Sequence, residues 1–319
     1  MKISLLEPIG VSEELIYELA SGFKEKGHEF VYYNQKTTDK NELIKRSEDS
    51  DIVIIANNPY PNEVVLAAKK LKMLSIAFTG FDHVGKEALK AAKVTVSNAA
   101  GFSNESVSEL ALGLAISSLR NMVPCDAATR NGGSLAASKL MGNELSGKTV
   151  GIIGTGRIGI MTAKLFAAFG CKLLGYSRSE RSEAKEAGIK YVPLDSLLAK
   201  SDIISLHTPL NDQTKCLISR EKIALMKKTA LIINCARGGV IDNNALADAL
   251  NAGEIGAAAI DVFDMEPPIP SDYPLISAKN TIFTPHVAFA TKESMVKRAK
   301  ITFDNVYSYL GGNPKNVVI

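Results

Sequence analysis

An apolar run, Lys148–Ile153, passes straight into Gly154-Thr155-Gly156-Arg157-Ile158-Gly159 and then into a helical pattern that reaches Phe169. No other feature limits the fold of this chain so tightly. Glycines at this spacing, between a strand and a helix, meet three steric needs. The first permits a tight turn, the second lets backbone approach a pyrophosphate, and the third lets the helix pack on the strand. The helix N-terminus then presents free N–H groups and the positive end of its dipole to phosphate. The glycine spacing alone is weak, but with both flanks correct it points to a dinucleotide cradle at Gly154, Gly156, Arg157, Ile158 and Gly159. The competing reading is a purely structural glycine turn.

A strand feeding a helix is one unit of a larger alternation. Lys2–Leu6, Glu29–Tyr33, Asp51–Ala56, Leu74–Phe78 and Val94–Ser97 read as strands, with helical spacing over Ser12–Lys26, Lys40–Ser47 and Asn62–Leu71. After the glycine motif the strands continue as Lys172–Tyr176, Asp202–His207, Leu231–Asn234 and Ile255–Val262, and a last helix runs over Lys292–Leu310. Such alternation predicts α/β architecture, with parallel sheets covered on both faces. At 319 residues the chain is long for one core, so two domains are expected. Between them, Ser103–Arg120 reads as one helix, capped by Ser103 or Asn104 and ended or bent by Pro124. Its small and apolar residues on several sides predict burial, between domains or between subunits.

The end of the second strand bears on the cofactor. An acid there would hydrogen-bond the ribose 2′-hydroxyl of NAD. Here Lys172–Tyr176 is followed by Ser177-Arg178-Ser179. A guanidinium can pair with a 2′-phosphate, which a carboxylate would repel. NADP is therefore preferred to NAD, the other reading being that Arg178 is a solvated loop residue.

Composition removes several functional classes. Lys plus Arg (37) nearly balances Asp plus Glu (34), so nothing points to nucleic acid or an anionic membrane as partner. The start meets Glu7 and Pro8 too early for a signal peptide, and Val150–Gly170 is broken by glycine, Arg157 and Lys164. A cytoplasmic protein is expected. Cys125, Cys171, Cys216 and Cys235 form no metal-ligand spacing, so free thiols and no metal are expected.

Polar residues also gather after apolar runs, in Asn234-Cys235-Ala236-Arg237-Gly238-Gly239, in Asp261-Val262-Phe263-Asp264-Met265-Glu266-Pro267, and in Thr284-Pro285-His286. Open α/β sheets bind ligands beyond the carboxyl ends of their strands. An Arg, a Glu and a His converging there would supply a carboxylate clamp and an acid/base pair. Periodicity alone gives a lone histidine no such role.

Taken in order, these segments resemble the D-isomer-specific 2-hydroxyacid dehydrogenase family. The likeness also covers Phe78-Thr79-Gly80-Phe81-Asp82-His83-Val84, Val107-Ser108-Glu109, Leu145–Gly154, Leu206-His207-Thr208-Pro209-Leu210 with Thr214, and Gly311-Gly312-Asn313-Pro314. The resemblance implies a Rossmann cofactor domain, residues 99–287, inserted into a flavodoxin-like substrate domain, residues 1–98 and 288–319, to which the last helix crosses back. It implies an active site in the cleft and a homodimer joined through the nucleotide domain. It implies NAD(P)-linked hydride transfer to or from a small 2-oxo or 2-hydroxy acid, with glyoxylate or hydroxypyruvate as examples.

Roles follow from the same likeness. Arg237 would bind the substrate carboxylate and carbonyl oxygen, His286 would be the general acid or base, and Glu266 would hold His286 in orientation. Backbone around Thr79 and Gly80 would hold the carboxylate as well. Thr208, Pro209 and Thr214 fall in cofactor-binding motifs. Asp261, with backbone near Cys235 and Ala236, would position the nicotinamide carboxamide. The sequence departs from the family pattern at Ser177, at His83 and Gly85, and after His286, where Val-Ala-Phe-Ala-Thr places Phe289 near the pocket. The chain stops after its crossing helix, so no appended regulatory domain is expected. Two other readings stay open: a phosphoglycerate dehydrogenase, although no basic cluster is evident near Phe78–Val84, and a dinucleotide-sensing corepressor-like protein without turnover.

Overall fold

The computed structural model describes residues 1–134 and 140–319. The chain forms two compact units, Met1–Ser103 with Ala290–Ile319, and Asn104–Phe289. The sequence reading set these divisions near 98 and 288.

The first unit opens with β1 (Lys2–Leu5), α1 (Glu13–Glu25), β2 (Glu29–Tyr32), α2 (Lys40–Ser47), β3 (Ile52–Ile55), α3 (Asn62–Ala67), β4 (Met73–Ile76), α4 (Lys86–Ala91) and β5 (Thr95–Asn98). The second holds α5 (Asn104–Leu119), α6 (Met122–Arg130), β6 (Thr149–Ile153), α7 (Arg157–Ala168), β7 (Lys172–Tyr176), α8 (Ser182–Glu186), β8 (Lys190–Tyr191), α9 (Leu194–Lys200), β9 (Ile203–Leu206), α10 (Arg220–Ile223), β10 (Leu231–Asn234), α11 (Asn243–Ala252), β11 (Ala257–Ile260) and β12 (Thr281–Phe283). The chain then returns to the first unit as α12 (Lys292–Leu310).

In the first unit the sheet order is β2-β1-β3-β4-β5, parallel throughout. Strands β3 and β4 are buried along their whole length, as apolar runs with helices on both faces must be. Helix α12 closes one face. It buries Ala299, Phe303 and Val306 against Ile3, Leu5 and Phe23, and the Phe23 and Phe303 rings stack with centroids 5.8 Å apart. Burying each such side chain stabilises by about 1.5–3 kcal/mol. A capping box, Thr291 with Ser294, fixes where α12 begins.

The second sheet runs β12-β11-β10-β9-β6-β7-β8, again parallel. Chain order reverses between β6 and β9. That reversal opens a crevice at the carboxyl ends of the strands, where doubly wound sheets bind ligands. Within this unit helix α5 packs Ala111, Leu114 and Ala115 against Val150, Ile152, Ala163 and Phe166, while Leu110, Leu112 and Ile116 are only partly buried.

Pro124 is not what ends it. The chain leaves the helix after Leu119, and Asn121 takes a left-handed conformation at φ 51°. Pro124 then sits in the first turn of α6, where its missing N–H has no helical partner to lose. The expected run Leu74–Phe78 is a strand only to Ile76, because residues 77–79 bend away toward the Thr79 loop. Helix α3 stops at Ala67, short of Leu71.

Candidate active site

The glycine loop follows β6. Gly154 has φ 96°, and a Cβ there would lie 2.4 Å from the His207 carbonyl oxygen, on the loop after β9. A Cβ on Gly159 would lie 2.0 Å from the Gly154 carbonyl oxygen. Neither position admits a side chain, as the tight turn and the helix–strand contact require. At Gly156 a Cβ would meet nothing within 4 Å. Space is therefore kept above the N-terminus of α7, where a phosphate would approach, and the residues fit a dinucleotide.

That space continues as a cavity of about 550 Å³ lined by Gly154, Gly156, Ser177, Arg178, Thr208, Pro209 and Thr214, together with Thr155, Ser179, Arg181 and Gln213. Of the expected cofactor residues, seven come together here. Arg157, Ile158 and Gly159 form the first turn of α7 behind them. Thr214 shapes the wall: its hydroxyl donates to the Pro209 carbonyl at 2.6 Å and accepts from Asn211 N–H at 2.8 Å. His207 also lines the cavity, with its Nε2 2.8 Å from Ser205 Oγ. Burial lowers its pKa to about 4, so at neutral pH it is an uncharged wall.

Cys235, Ala236 and Asp261 lie apart from that lining, at the ends of β10 and β11. Burial pushes the Cys235 thiol up, with the Asp261 charge adding to the effect, which disfavours the nucleophilic thiolate. Asp261 is fully buried, and both of its carboxylate oxygens serve the segment after β12. Oδ1 accepts from Thr284 Oγ1 at 2.5 Å and from Val287 N–H at 2.9 Å, and Oδ2 accepts from Ala288 N–H at 3.0 Å. The Asp261 carbonyl also takes the His286 N–H at 2.8 Å. The carboxylate thus fixes a turn with three of its acceptor positions, a role that the expected contact of Asp261 with a nicotinamide carboxamide did not include.

On that turn His286 is held at φ 56°, a left-handed conformation that costs a non-glycine residue about 1–3 kcal/mol. Four hydrogen bonds to one aspartate over-determine it. The imidazole Nδ1 then lies 2.9 Å and 3.1 Å from the two oxygens of Glu266, which leaves Nε2 as the other ring nitrogen. Phe289 sets its ring edge-on to the imidazole, at 5.5 Å and 87°. The loop that carries Glu266 is anchored by Asp264, which accepts from Asn243 Nδ2 and Tyr273 Oη, each at 2.9 Å.

Arg237 follows β10 on a second built turn. Asn234, fully buried, accepts from Ala236 N–H and donates to the Arg237 carbonyl, both at 3.0 Å. The guanidinium of Arg237 donates to the Ala236 carbonyl at 2.7 Å. In the first unit Thr79 and Gly80 lie on the loop after β4. There Asn98 Nδ2 donates to the Thr79 carbonyl at 2.7 Å, and Asn305 of α12 donates to the Asn98 carbonyl at 2.9 Å. Sequence reading assigned no role to Asn98, Asn234 or Asn305. Only Asn234 carried a signal, as the first residue of the Asn-x-Ala-Arg-Gly motif.

The sequence profile described as "D-isomer specific 2-hydroxyacid dehydrogenase, NAD binding domain" matches residues 112–288, more than half of the chain. Over 308 residues the chain is 35% identical to the hydroxypyruvate reductase of Blautia hydrogenotrophica, covering 93% of this chain and 94% of that protein. It is 39% identical over 283 residues to the D-3-phosphoglycerate dehydrogenase of Methanocaldococcus jannaschii, covering 88% of this chain but only about half, 53%, of that longer protein. Among solved structures, an acyclic imino acid reductase in complex with NADPH and D-Arg superposes with a TM-score of 0.90, at 29% identity over all of both chains. With the glycine cradle, the His–Glu pair and these likenesses together, the chain belongs to the D-isomer-specific 2-hydroxyacid dehydrogenase family, oxidoreductases that use a nicotinamide dinucleotide.

Proposed function

We propose that this protein reduces a small 2-oxo acid such as glyoxylate or hydroxypyruvate to the D-2-hydroxy acid, and that it prefers NADPH. The observation that carries the reading is the His286–Glu266 pair on its rigid turn, because an acid/base histidine must be fixed in orientation to transfer a proton efficiently. The bound nicotinamide supplies the hydride that reaches the carbonyl carbon. His286 supplies the proton to the carbonyl oxygen. With Nδ1–H directed at Glu266, the proton that moves is the one on Nε2, so the acid is the doubly protonated ring. In oxidation the same nitrogen takes the proton back.

Arg237 binds the substrate carboxylate and polarises its carbonyl, a task suited to a planar fork of donors. The backbone N–H groups around Thr79 and Gly80 are the substrate contacts in the first unit. In the crevice Gly154, Gly156 and the first turn of α7 take the pyrophosphate, and Ser177 with Arg178 takes the adenosine 2′-phosphate. The imino acid reductase solved with NADPH supports this cofactor preference. A homodimer joined through the second unit completes the proposal.

A panel of 2-oxo acids assayed with NADPH and with NADH tests the reading. His286→Ala should lower turnover by about 10²-fold or more while dinucleotide binding persists. Arg237→Lys should be nearly as damaging as Arg237→Ala, since charge without the fork does not match a carboxylate. Near-normal turnover in the His286 variant would remove the histidine from the mechanism. No turnover of any 2-oxo acid by a protein that binds dinucleotide tightly would make it a sensor.

A further inference from the structure

Beside the cavity, β8 is only two residues long, and it places Tyr191 opposite Gly175 of β7. The tyrosine hydroxyl ties the glycine loop after β6 to the far end of the turn after β7, beyond the point where the pairing of the two strands stops. It lies 2.6 Å from Oγ1 of Thr155, the fully buried residue between the first two glycines of the cradle. It also accepts the backbone N–H of Arg181 at 3.1 Å, at the far end of the turn that leaves β7. Arg181 N–H donates to the Tyr191 hydroxyl, and between Tyr191 and Thr155 either hydroxyl can be the donor, so the three groups form one continuous bridge. Packing would be met equally by phenylalanine, so the hydroxyl serves the bridge.

The bridged turn carries Ser177, Arg178, Ser179 and Arg181, all of which line the cavity. Its own acid, Glu180, is drawn off by Lys185 at 2.6 Å. Two guanidiniums therefore stand at the cavity rim on a turn anchored at its start by Gly154 N–H to the Tyr176 carbonyl, 2.8 Å, and at its end by Tyr191.

We infer that Tyr191 is a positioning residue for cofactor choice: its hydroxyl locks the 177–181 turn to the glycine loop and so holds Arg178 and Arg181 where an adenosine 2′-phosphate binds. This rests on the NADP reading above. Without the bridge the turn keeps its charges but loses their placement, and the loss falls on the ligand that carries a 2′-phosphate.

Calorimetric titration of the full chain with 2′,5′-ADP and with 5′-AMP tests this without turnover. The unmodified protein should bind 2′,5′-ADP the more tightly. Tyr191→Phe should weaken 2′,5′-ADP by roughly three- to tenfold, the effect of one hydrogen bond, and leave 5′-AMP within about twofold. Thr155→Val, at a residue of the cavity wall, should weaken 2′,5′-ADP by at least the same factor, and adding Tyr191→Phe to it should cost nothing further, because both remove one bridge. A merely structural tyrosine would lower thermal stability and weaken both ligands together. If the unmodified protein binds both ligands alike, the NADP reading falls and this inference with it. If it favours 2′,5′-ADP and Tyr191→Phe keeps the same ratio, the inference alone is overturned.

Discussion

At the β11–β12 end of the crevice, one buried carboxylate accepts three hydrogen bonds from residues 284–288, and its own backbone carbonyl accepts a fourth. At the β7 end, the turn 177–181 is largely exposed, and beyond its start it is held by one phenol hydroxyl and a surface ion pair. Both segments follow strands of the same sheet, and both carry charged side chains toward a ligand. They differ in what a displacement costs. Proton transfer loses efficiency when the acid moves by a fraction of an ångström, whereas a phosphate contact tolerates a longer, wetter geometry. The buried anchor stands where chemistry needs it, and the exposed turn is free to vary with the cofactor.

Removing the buried anchor should have the largest effect. Asp261→Asn keeps size but turns an NH₂ group toward one of the donors that Asp261 now satisfies, so at least one hydrogen bond becomes a donor–donor clash. The left-handed His286 would then relax. Turnover should fall by about 10²-fold, the scale of a misplaced catalytic group, with stability lower by about 1–3 kcal/mol. Dinucleotide affinity should change far less. If turnover and affinity in Asp261→Asn fell together, the carboxylate would be contacting cofactor after all, and the contrast between the two ends would be wrong.

At the exposed end a single charge should change selectivity with no loss of fold. Ser177→Asp places a carboxylate beside the 2′ position, repelling a 2′-phosphate and accepting from a free 2′-hydroxyl. NADPH kcat/KM should fall by about tenfold, in keeping with roughly 1.5–3 kcal/mol per charge-assisted contact, and NADH kcat/KM should hold or rise. Equal losses with both cofactors, or a melting temperature lowered along with them, would mean that this turn is as structurally committed as the other.

The same contrast explains what was legible in the sequence. Strand–helix alternation and the glycine motif gave the architecture, because each is a local pattern with a local cause. Arg237, Glu266 and His286 were found through family resemblance rather than periodicity. What escaped were short or distant partners. Strand β8 is too short for any pattern, yet it carries Tyr191. Asp261 was assigned to the cofactor because its family motif suggested it, and only tertiary packing shows that it also anchors backbone 26 and 27 residues away. The break at Asn121 was masked by the stronger signal of Pro124, which is harmless in a helix's first turn.

Salt gives the smallest predicted effect and the most direct measure of exposure. Arg178 and Arg181 lie at the surface, so their attraction for a 2′-phosphate passes partly through water and is screened. The hydrogen bonds beneath His286 are short and its aspartate is buried, and a Debye length of about 8 Å at physiological ionic strength screens such contacts far less. Raising salt from about 0.05 M to 0.5 M should therefore weaken NADPH binding by roughly two- to fivefold more than NADH binding, in line with exposed pairs worth up to about 1 kcal/mol. Turnover at saturating cofactor should stay nearly constant. Both cofactors respond to screening at the pyrophosphate, so the ratio of their dissociation constants isolates the 2′ contact. A ratio independent of salt, in a protein that still prefers NADPH, would place the 2′-phosphate in a dry and buried site, and the adenosine end would then be as rigidly built as the catalytic turn.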